Sequence, residues 1–337
     1  MKIREAVLKE DIKAISKFLS TYNLVYEDDI DMTLYMEEAG RIIATVSSAE
    51  HIIKCVAVDE TYQGQHLLNT LMSKLIKQLN EKGHDHLFVY TQPEHIGIFR
   101  SLGFKEIVQT MNLTFMELHG DIEQTLKRLK RKYDLDNRAK GAVVINANPF
   151  TKGHLHLIEE ASKLHEQIIV FVVSEDRSFF PFEDRFEIIK NSFRHRPDIH
   201  VLPSKDYLVS FATFPKYFLK QEQSIKKEHA LIDVLTFKQH YMRIFNINAR
   251  YVGEEPYSPM TDVYNQTMKE YLGSALKIVE RKTIDTVPIS ASTVRKLLKK
   301  NGLDTVRKYV PEATYDYLIS DKGQRVIRRL KRHESRH

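Results

Sequence analysis

Two short stretches of the chain carry side chains that suit one chemistry. The first is Asn146-Ala147-Asn148-Pro149-Phe150-Thr151-Lys152-Gly153-His154, preceded by the apolar run Ala142–Ile145 and followed by Leu157, Ile158, Ala161 and Leu164 at helical spacing. It reads as a strand, a proline-containing turn and a helix start. Such a start gathers free N–H groups, the positive end of a helix dipole and the His154 imidazole at one point, which suits a polyphosphate. The second is Ser290-Ala291-Ser292-Thr293-Val294-Arg295, which follows Pro288. Ser290, Ser292 and Thr293 are residues that cap a helix, and Arg295 lies on its first turn, facing the same anion. Two helix starts at one edge of a parallel sheet grip both ends of a triphosphate. The alternative, in which His154 merely opens a helix and Arg295 is a surface charge, predicts no ligand common to the two.

Other residues are open to two readings. Lys152 adds charge near the phosphates or is a solvated lysine. Gly253-Glu254-Glu255-Pro256 follows a strand and lines the nucleotide pocket or forms a surface loop. Asp184 and Arg185 are neighbours on a helix, where an exposed ion pair is the simpler expectation. His229 and Asp233, four residues apart, form a polar pair on one helix face; metal ligation lacks a third ligand. Cys55 lies inside an apolar strand and reads as a small buried hydrophobe.

The elements that must position these groups divide into two patterns. Residues 141–320 alternate strands and helices: Ile168–Val173 is an uninterrupted apolar run, and strands at Ile199–Leu202, Arg250–Val252 and Leu276–Val279 are separated by helices at Phe182–Phe193 and about Ser224–Phe245. This predicts an α/β fold with a doubly wound parallel sheet, ligands binding at the carboxyl ends of its strands. Residues 1–118 read as a smaller mixed α/β domain, with paired strands at Arg41–Ser47 and His51–Val58 and a helix over about Leu67–Leu79. Residues 119–140 hold seven Lys/Arg and read as an exposed linker helix.

Composition bounds the function. The chain has 337 residues, 42% of them apolar and 28% charged, ordinary values for a folded protein of two domains. It has no apolar stretch long enough to span a bilayer and charges where a signal peptide needs its apolar core, so a cytoplasmic protein is expected. One cysteine excludes an internal disulfide and a Cys-based zinc site. The net charge of +6 equals the balance of residues 322–337 alone, where seven Lys/Arg meet one acid, Glu334. The basic character belongs to a tail over 321–337, expected to be a solvated helix or a contact for an acidic partner, and not to a nucleic-acid groove.

Three resemblances give these elements a context. Thr151-Lys152-Gly153-His154 and Ser290–Arg295 resemble the T/HxGH and Ser-x-Ser-x-x-Arg motifs of the nucleotidyltransferase superfamily, with Thr151 in place of the first His. The words CVAVDETYQGQHLLNTLM and FRSLGF resemble the GNAT N-acetyltransferases, whose Gly-rich turn holds the pyrophosphate of acetyl-CoA. Here that turn reads Gln63-Gly64-Gln65-His66-Leu67-Leu68. Side chains at His66 and Leu68 stand where phosphates need close backbone approach, so a scaffold or docking role is expected in place of acetyl-CoA turnover. The fusion, with SEDRSFFPFEDR, DYLVSFATFPKYFLK, HALIDVLTF, VGEEPYSPMTDVYNQ and VPISASTVRKLL, resembles the citrate lyase ligase family.

That resemblance implies an AMP-forming acid–thiol ligase using ATP and Mg2+, the metal held mainly through the phosphates. Acetate is activated as acetyl-adenylate, and the acetyl group then passes to the thiol of phosphoribosyl-dephospho-CoA on the citrate lyase acyl-carrier subunit. It implies His154, Arg295 and Thr151 as catalytic residues. Asn146, Asn148, Phe150, Lys152, Gly153, Gly253, Glu254, Ser290, Ser292 and Thr293 are implied as nucleotide-binding residues. Two alternatives stay open: an adenylyltransferase with a phosphate nucleophile, and an acetyltransferase with a regulatory nucleotide-binding half.

Overall fold

The structure, a computed structural model, describes residues 2–175, 178–208, 214, 222–254, 259–284, 287–300 and 302–332, without the side chains of 222–224, 259–262 and 287. Glu255, Pro256, most of the 206–220 word and the last five residues of the basic tail lie outside them. The chain divides into two compact units, 1–125 with the described part of 211–232, and 126–210 with 233–337. The first boundary falls inside the link expected at 119–140, while the described part of 211–232 joins the first unit and not the block expected over 141–320.

In the first unit, β1 (Lys2–Glu5), α1 (Lys9–Thr21), β2 (Met32–Glu38), β3 (Arg41–Ala49), β4 (Ile52–Val58), α2 (Leu67–Glu81), β5 (Leu87–Thr91), α3 (Ile96–Ser101), β6 (Lys105–Gln109) and β7 (Thr114–Leu118) follow one another. The sheet order is β1-β2-β3-β4-β5-β7-β6. Helix α2 forms because Leu67, Leu71, Met72, Leu75 and Leu79 recur at helical spacing, and it buries that stripe on the sheet. Every pair in the sheet is antiparallel except β4 with β5. Those two share only Ile52↔Phe88 and Ile53↔Val89. Beyond that point β4 carries an irregularity opposite β3 and Cys55 adopts a φ of +50°. Such an irregularity bends a strand, and the two strands part.

Helix α4 (Ile122–Lys132) crosses the divide between the units. It is not the wholly exposed linker its charge suggests: Ile122, Leu126 and Leu129 are buried while Gln124, Lys127 and Arg128 are exposed. Seven cations in the stretch mask a three- and four-residue apolar stripe.

The second unit runs through β8 (Lys140–Ile145), α5 (Lys152–Ser162), β9 (Ile168–Val172), α6 (Phe182–Ser192) and β10 (Ile199–Pro203). It resumes at Asp233, in the last turn of α7 (Glu222–Thr236), and continues through a π-helical turn, α8 (Arg243–Phe245), β11 (Ile247–Gly253), α9 (Pro259–Leu272) and β12 (Leu276–Val279). Its sheet is wholly parallel in the order β10-β9-β8-β11-β12. This is the doubly wound order, with its reversal between β8 and β11. Strand β9 is buried along its whole length because both faces are covered. Val170 and Val172 pack with Leu157, Ile158 and Ile189, whereas Phe171 meets Phe237, Tyr241 and Phe245.

A short hairpin, β13 (Thr283–Ile284) with β14 (Val287–Pro288), leads into α10 (Ala291–Lys300), α11 (Leu303–Val306), α12 (Glu312–Ile319) and α13 (Asp321–Arg332). These helices share a core of Val294, Leu298, Leu318, Val326, Ile327 and Leu330. The basic tail is therefore in large part a packed helix, since α13 has an apolar stripe between its cations. Among the described residues, no helix is long and apolar enough to cross a membrane.

Candidate active site

Strand β8 ends at Ile145, and the following turn brings the chain to Thr151, the N-cap of α5. Thr151 and His154 form a reciprocal capping box. The Thr151 N–H donates to His154 Nδ1 at 3.1 Å, and the His154 N–H donates to Thr151 Oγ1 at 3.4 Å. Because a backbone N–H can only donate, Nδ1 is the acceptor nitrogen, and the neutral ring carries its proton on Nε2. Phe150 lies parallel to the imidazole with ring centroids 5.8 Å apart. Burial, and after it the positive charge of Arg281, push the His154 pKa down to about 4. The imidazole is thus neutral at pH 7 and offers an N–H.

The second motif is built in the same manner. Ser290 caps α10, its Oγ accepting from the Thr293 N–H at 3.1 Å and lying 2.8 Å from both Ser292 Oγ and Thr293 Oγ1. The segment before it is held by the Ile289 N–H, which donates to the Lys282 carbonyl at 3.0 Å.

The two motifs meet at two points. Arg295 Nη1 donates to the carbonyl oxygen of Asn148. A Cβ added at Gly153 would lie 2.7 Å from the Ile289 carbonyl oxygen, so only glycine permits the two helix starts to approach this closely. Of the first four N–H groups of α5, that of Lys152 goes to Tyr309 O, that of His154 to Thr151 Oγ1 and that of Leu155 to Thr151 O. The Gly153 N–H, the second of the four, has no hydrogen-bond acceptor among the described residues.

The turn after β8 has its own support. Arg185 is 0% exposed, and its guanidinium donates to the carbonyls of Asn146, Val173, Glu175 and Phe180 and to Asn146 Oδ1. It ties the ends of β8 and β9 to the segment before α6. Arg185 is thus not the exposed surface residue expected beside Asp184, which accepts from Tyr317 Oη at 2.6 Å and lies 3.8 Å from Lys322 Nζ. Asn148 Oδ1 accepts from the Phe180 N–H at 3.2 Å, and Asn146 is exposed with Nδ2 3.2 Å from Ser178 Oγ.

The third side comes from β11 and β12. Gly253 pairs with Val279, and the Glu254 N–H donates to the Val279 carbonyl at 2.8 Å. Two residues on, Arg281 is half-buried and close enough for its charge to act on both His154 and Glu254. Burial lowers the pKa of Arg281, as it does that of Arg295; guanidinium groups nonetheless stay charged at neutral pH.

Two expected site residues change role. Phe150 is 0% exposed and Thr151 1%. Both contact the His154 ring or its backbone, Thr151 by hydrogen bonds and Phe150 by parallel stacking, and in this position each supports the imidazole. Among the polar pair on α7, Asp233 is engaged by Arg250 at 3.2 Å and by Tyr264, while His229 packs edge-on against Phe214. Sequence reading missed Arg281 and the buried role of Arg185. For Arg281 no local motif exists, since Glu280-Arg281-Lys282 looks like a charged turn. For Arg185 the neighbouring aromatic residues Phe179, Phe180, Phe182 and Phe186 were the one available sign of burial.

The first unit has a separate cleft of about 660 Å³ where β4 and β5 part, lined by Val56, Val58, Gly64, His66, Tyr90 and Gln92. His66, at the start of α2, adopts the left-handed φ of +55°. Cys55 is buried and its thiol is pushed up to about 12, chiefly by burial and then by the Glu27 charge. It stays protonated at neutral pH and is no nucleophile.

Comparison with known proteins identifies both parts of the chain. Residues 140–318 match the family described as "Citrate lyase ligase C-terminal domain", and residues 5–116 match "Acetyltransferase (GNAT) domain". [Citrate [pro-3S]-lyase] ligase of Escherichia coli is 34% identical over 90% of this chain and 89% of its own length. That of Klebsiella pneumoniae is 34% identical over 91% and 92%. Among solved structures, Escherichia coli ElaA aligns over 35% of this chain and 99% of its own, at 14% identity and a TM-score of 0.31. A bifunctional NMN adenylyltransferase/ADP ribose pyrophosphatase from Francisella tularensis aligns over 59% and 53%, at 16% identity and a TM-score of 0.37. Likeness to the ligases over nine-tenths of the sequence, with the family's own domain matched over both phosphate-type motifs, makes this chain a member of the citrate lyase ligase family.

Proposed function

We propose that this protein is an ATP-dependent, AMP- and pyrophosphate-forming ligase. In this reading it activates acetate as acetyl-adenylate and acetylates the thiol of the phosphoribosyl-dephospho-CoA group on the citrate lyase acyl-carrier subunit. An acetate oxygen bonds to the α-phosphorus as the bond to pyrophosphate breaks; the carrier thiol then attacks the acetyl carbonyl, releasing AMP and a proton. The observation that carries the reading is the meeting of Gly153 with Ile289 and of Asn148 with Arg295, which makes one crevice from two helix starts.

The groups in that crevice suit the first step. Acetate is ionised at neutral pH, so no general base is needed. Alignment and charge stabilisation remain as the protein's tasks. The Nε2–H of His154 and the Gly153 N–H donate to the α-phosphate. Arg295, Ser290, Ser292 and Thr293 hold the departing pyrophosphate, with Arg281 as a second cation. Lys152, Asn146, Gly253 and Glu254 border the nucleotide. Mg2+ neutralises phosphate charge when bound.

The first unit fits a docking role better than acetyl-CoA turnover. The side chains of His66 and Leu68 line its cleft where phosphates would need bare backbone.

ATP–pyrophosphate exchange with a panel of acids, beside acetylation of the deacetylated carrier, tests the whole reading. Exchange that requires acetate supports it. Exchange that requires a phosphomonoester would make the protein an adenylyltransferase, and acetyl-CoA consumption surviving His154→Ala would make it an acetyltransferase.

A further inference from the structure

Helix α13 has two faces of opposite character. At about 100° per residue, Gly323, Val326, Ile327 and Leu330 fall on one side and are buried. Lys322, Arg325, Arg328, Arg329, Lys331 and Arg332 spread over the other side and are exposed. Its one acidic residue, Asp321, stands at the start. Helix α10 packs against α13 and adds the exposed Lys296 and Lys300. The charge is concentrated here, because residues 1–321 sum to zero.

This face borders the crevice. Arg329 Nη2 donates to the carbonyl of Phe179. The next residue, Phe180, donates its N–H to Asn148 Oδ1, and Asn148 in turn receives Arg295. Three residues thus join the cationic face to the helix starts that carry the proposed chemistry.

We infer that the exposed cationic face of α13 docks an acidic surface of the acyl-carrier protein and so holds its prosthetic arm at the mouth of the crevice. The inference rests on the proposed ligase reading. A protein suits this face better than a nucleic acid. The 12-residue helix is convex and about 18 Å long, and no aromatic side chain lies among its cations to stack a base. The near-neutral remainder of the chain offers no track for a strand. Exposed charges of this kind chiefly raise the rate of encounter and make it sensitive to salt.

The test uses the full chain with R325E/R328E/K331E, none of which belongs to the nucleotide site, and R325Q/R328Q/K331Q in case reversed charges disturb the helix. Acetate-dependent exchange without carrier should stay within about twofold of wild type, whereas KM for the carrier should rise about tenfold or more and lose its dependence on ionic strength. An unchanged carrier KM with unchanged salt dependence in both variants overturns the inference. A short RNA that binds this face and displaces the carrier overturns it too, giving the surface to nucleic acid. If wild type shows no acetate-dependent exchange at all, the failure is that of the ligase reading, which this control separates from a failure of docking.

Discussion

The guanidinium of Arg295 is bonded to the backbone carbonyl of Asn148, 147 positions earlier in the chain. In the proposed reading, a movement of this side chain lets Arg295 share a ligand with His154. In that reading, the packing of the two helix starts forms the crevice and the polar side chains follow the phosphates.

The clearest consequence concerns Gly153. A methyl group there would press on the Ile289 carbonyl from 2.7 Å, a backbone atom that cannot swing aside. Gly153→Ala should lower stability by about 1–3 kcal/mol and cut exchange at least about tenfold, since roughly 1.4 kcal/mol of lost alignment gives that factor. Thermal denaturation and exchange rates measure both. A variant as stable and active as wild type would show that the two helix starts need not be this close.

Truncating the donors tests the chemistry. His154→Ala and Arg295→Ala should each reduce acetate-dependent exchange about a hundredfold, the usual effect of removing one strong donor at a developing anion. Arg281→Ala should fall in the same direction. Circular dichroism and melting curves establish that each variant is folded; wild-type exchange in folded His154→Ala and Arg295→Ala refutes the assignment.

The His154 ring should titrate far below neutrality. Its pKa in the folded protein is about 4, against an ordinary 6.5. Exchange should therefore show no ionisation from this ring between about pH 5.5 and 8, and NMR titration should find it neutral there. Arg281→Gln removes one of the two causes, so the ring's pKa should rise. For stability the sign follows from linkage: the unfolded chain takes up a proton near pH 6.5 that the folded imidazole refuses. Its contribution is intact above that pH and declines as pH falls from 6.5 towards about 4.

Thr151 acts through His154, and conservative replacement should reveal this. Thr151→Val loses the hydroxyl that accepts from the His154 N–H, costing about 1 kcal/mol of stability. It should lower kcat for exchange with little change in KM for ATP, and Thr151→Ser should restore both. A Val variant with unaltered kcat leaves Thr151 a cap and nothing more.

Arg185 is a further structural test. Replacing it by Met strands five oxygen acceptors around Asn146, Val173, Glu175 and Phe180, and about 3 kcal/mol or more should be lost. Unfolding by urea measures the loss; a midpoint unchanged from wild type would mean that water serves those acceptors equally well.

Much of the architecture was open to reading from local pattern. The apolar run at Ile168–Val173, the strand–turn–helix around Asn148 and Gly153, and the leucine stripe of α2 each announce themselves within a dozen residues, because burial imposes a period on neighbours in the chain. The two phosphate-type motifs were legible for the same reason, since capping and anion binding are properties of a helix start. Their meeting was not. Nothing near Gly153 names Ile289, and nothing near Lys282 says that the charge of Arg281 acts on His154; parallel pairing of β11 with β12 and the pairing of β13 with β14 bring those segments together. Composition also misled where charge outnumbered an apolar stripe, as in α4 and α13, whose buried faces become visible only when each residue is set at its angle about the helix axis. Phe150 and Thr151 border His154 in sequence, and only the packed core on their side of the turn shows that both are buried against it. The order of residues thus determined which local devices exist, and long-range packing, which closes only when distant segments share one interior, decided which of them face each other.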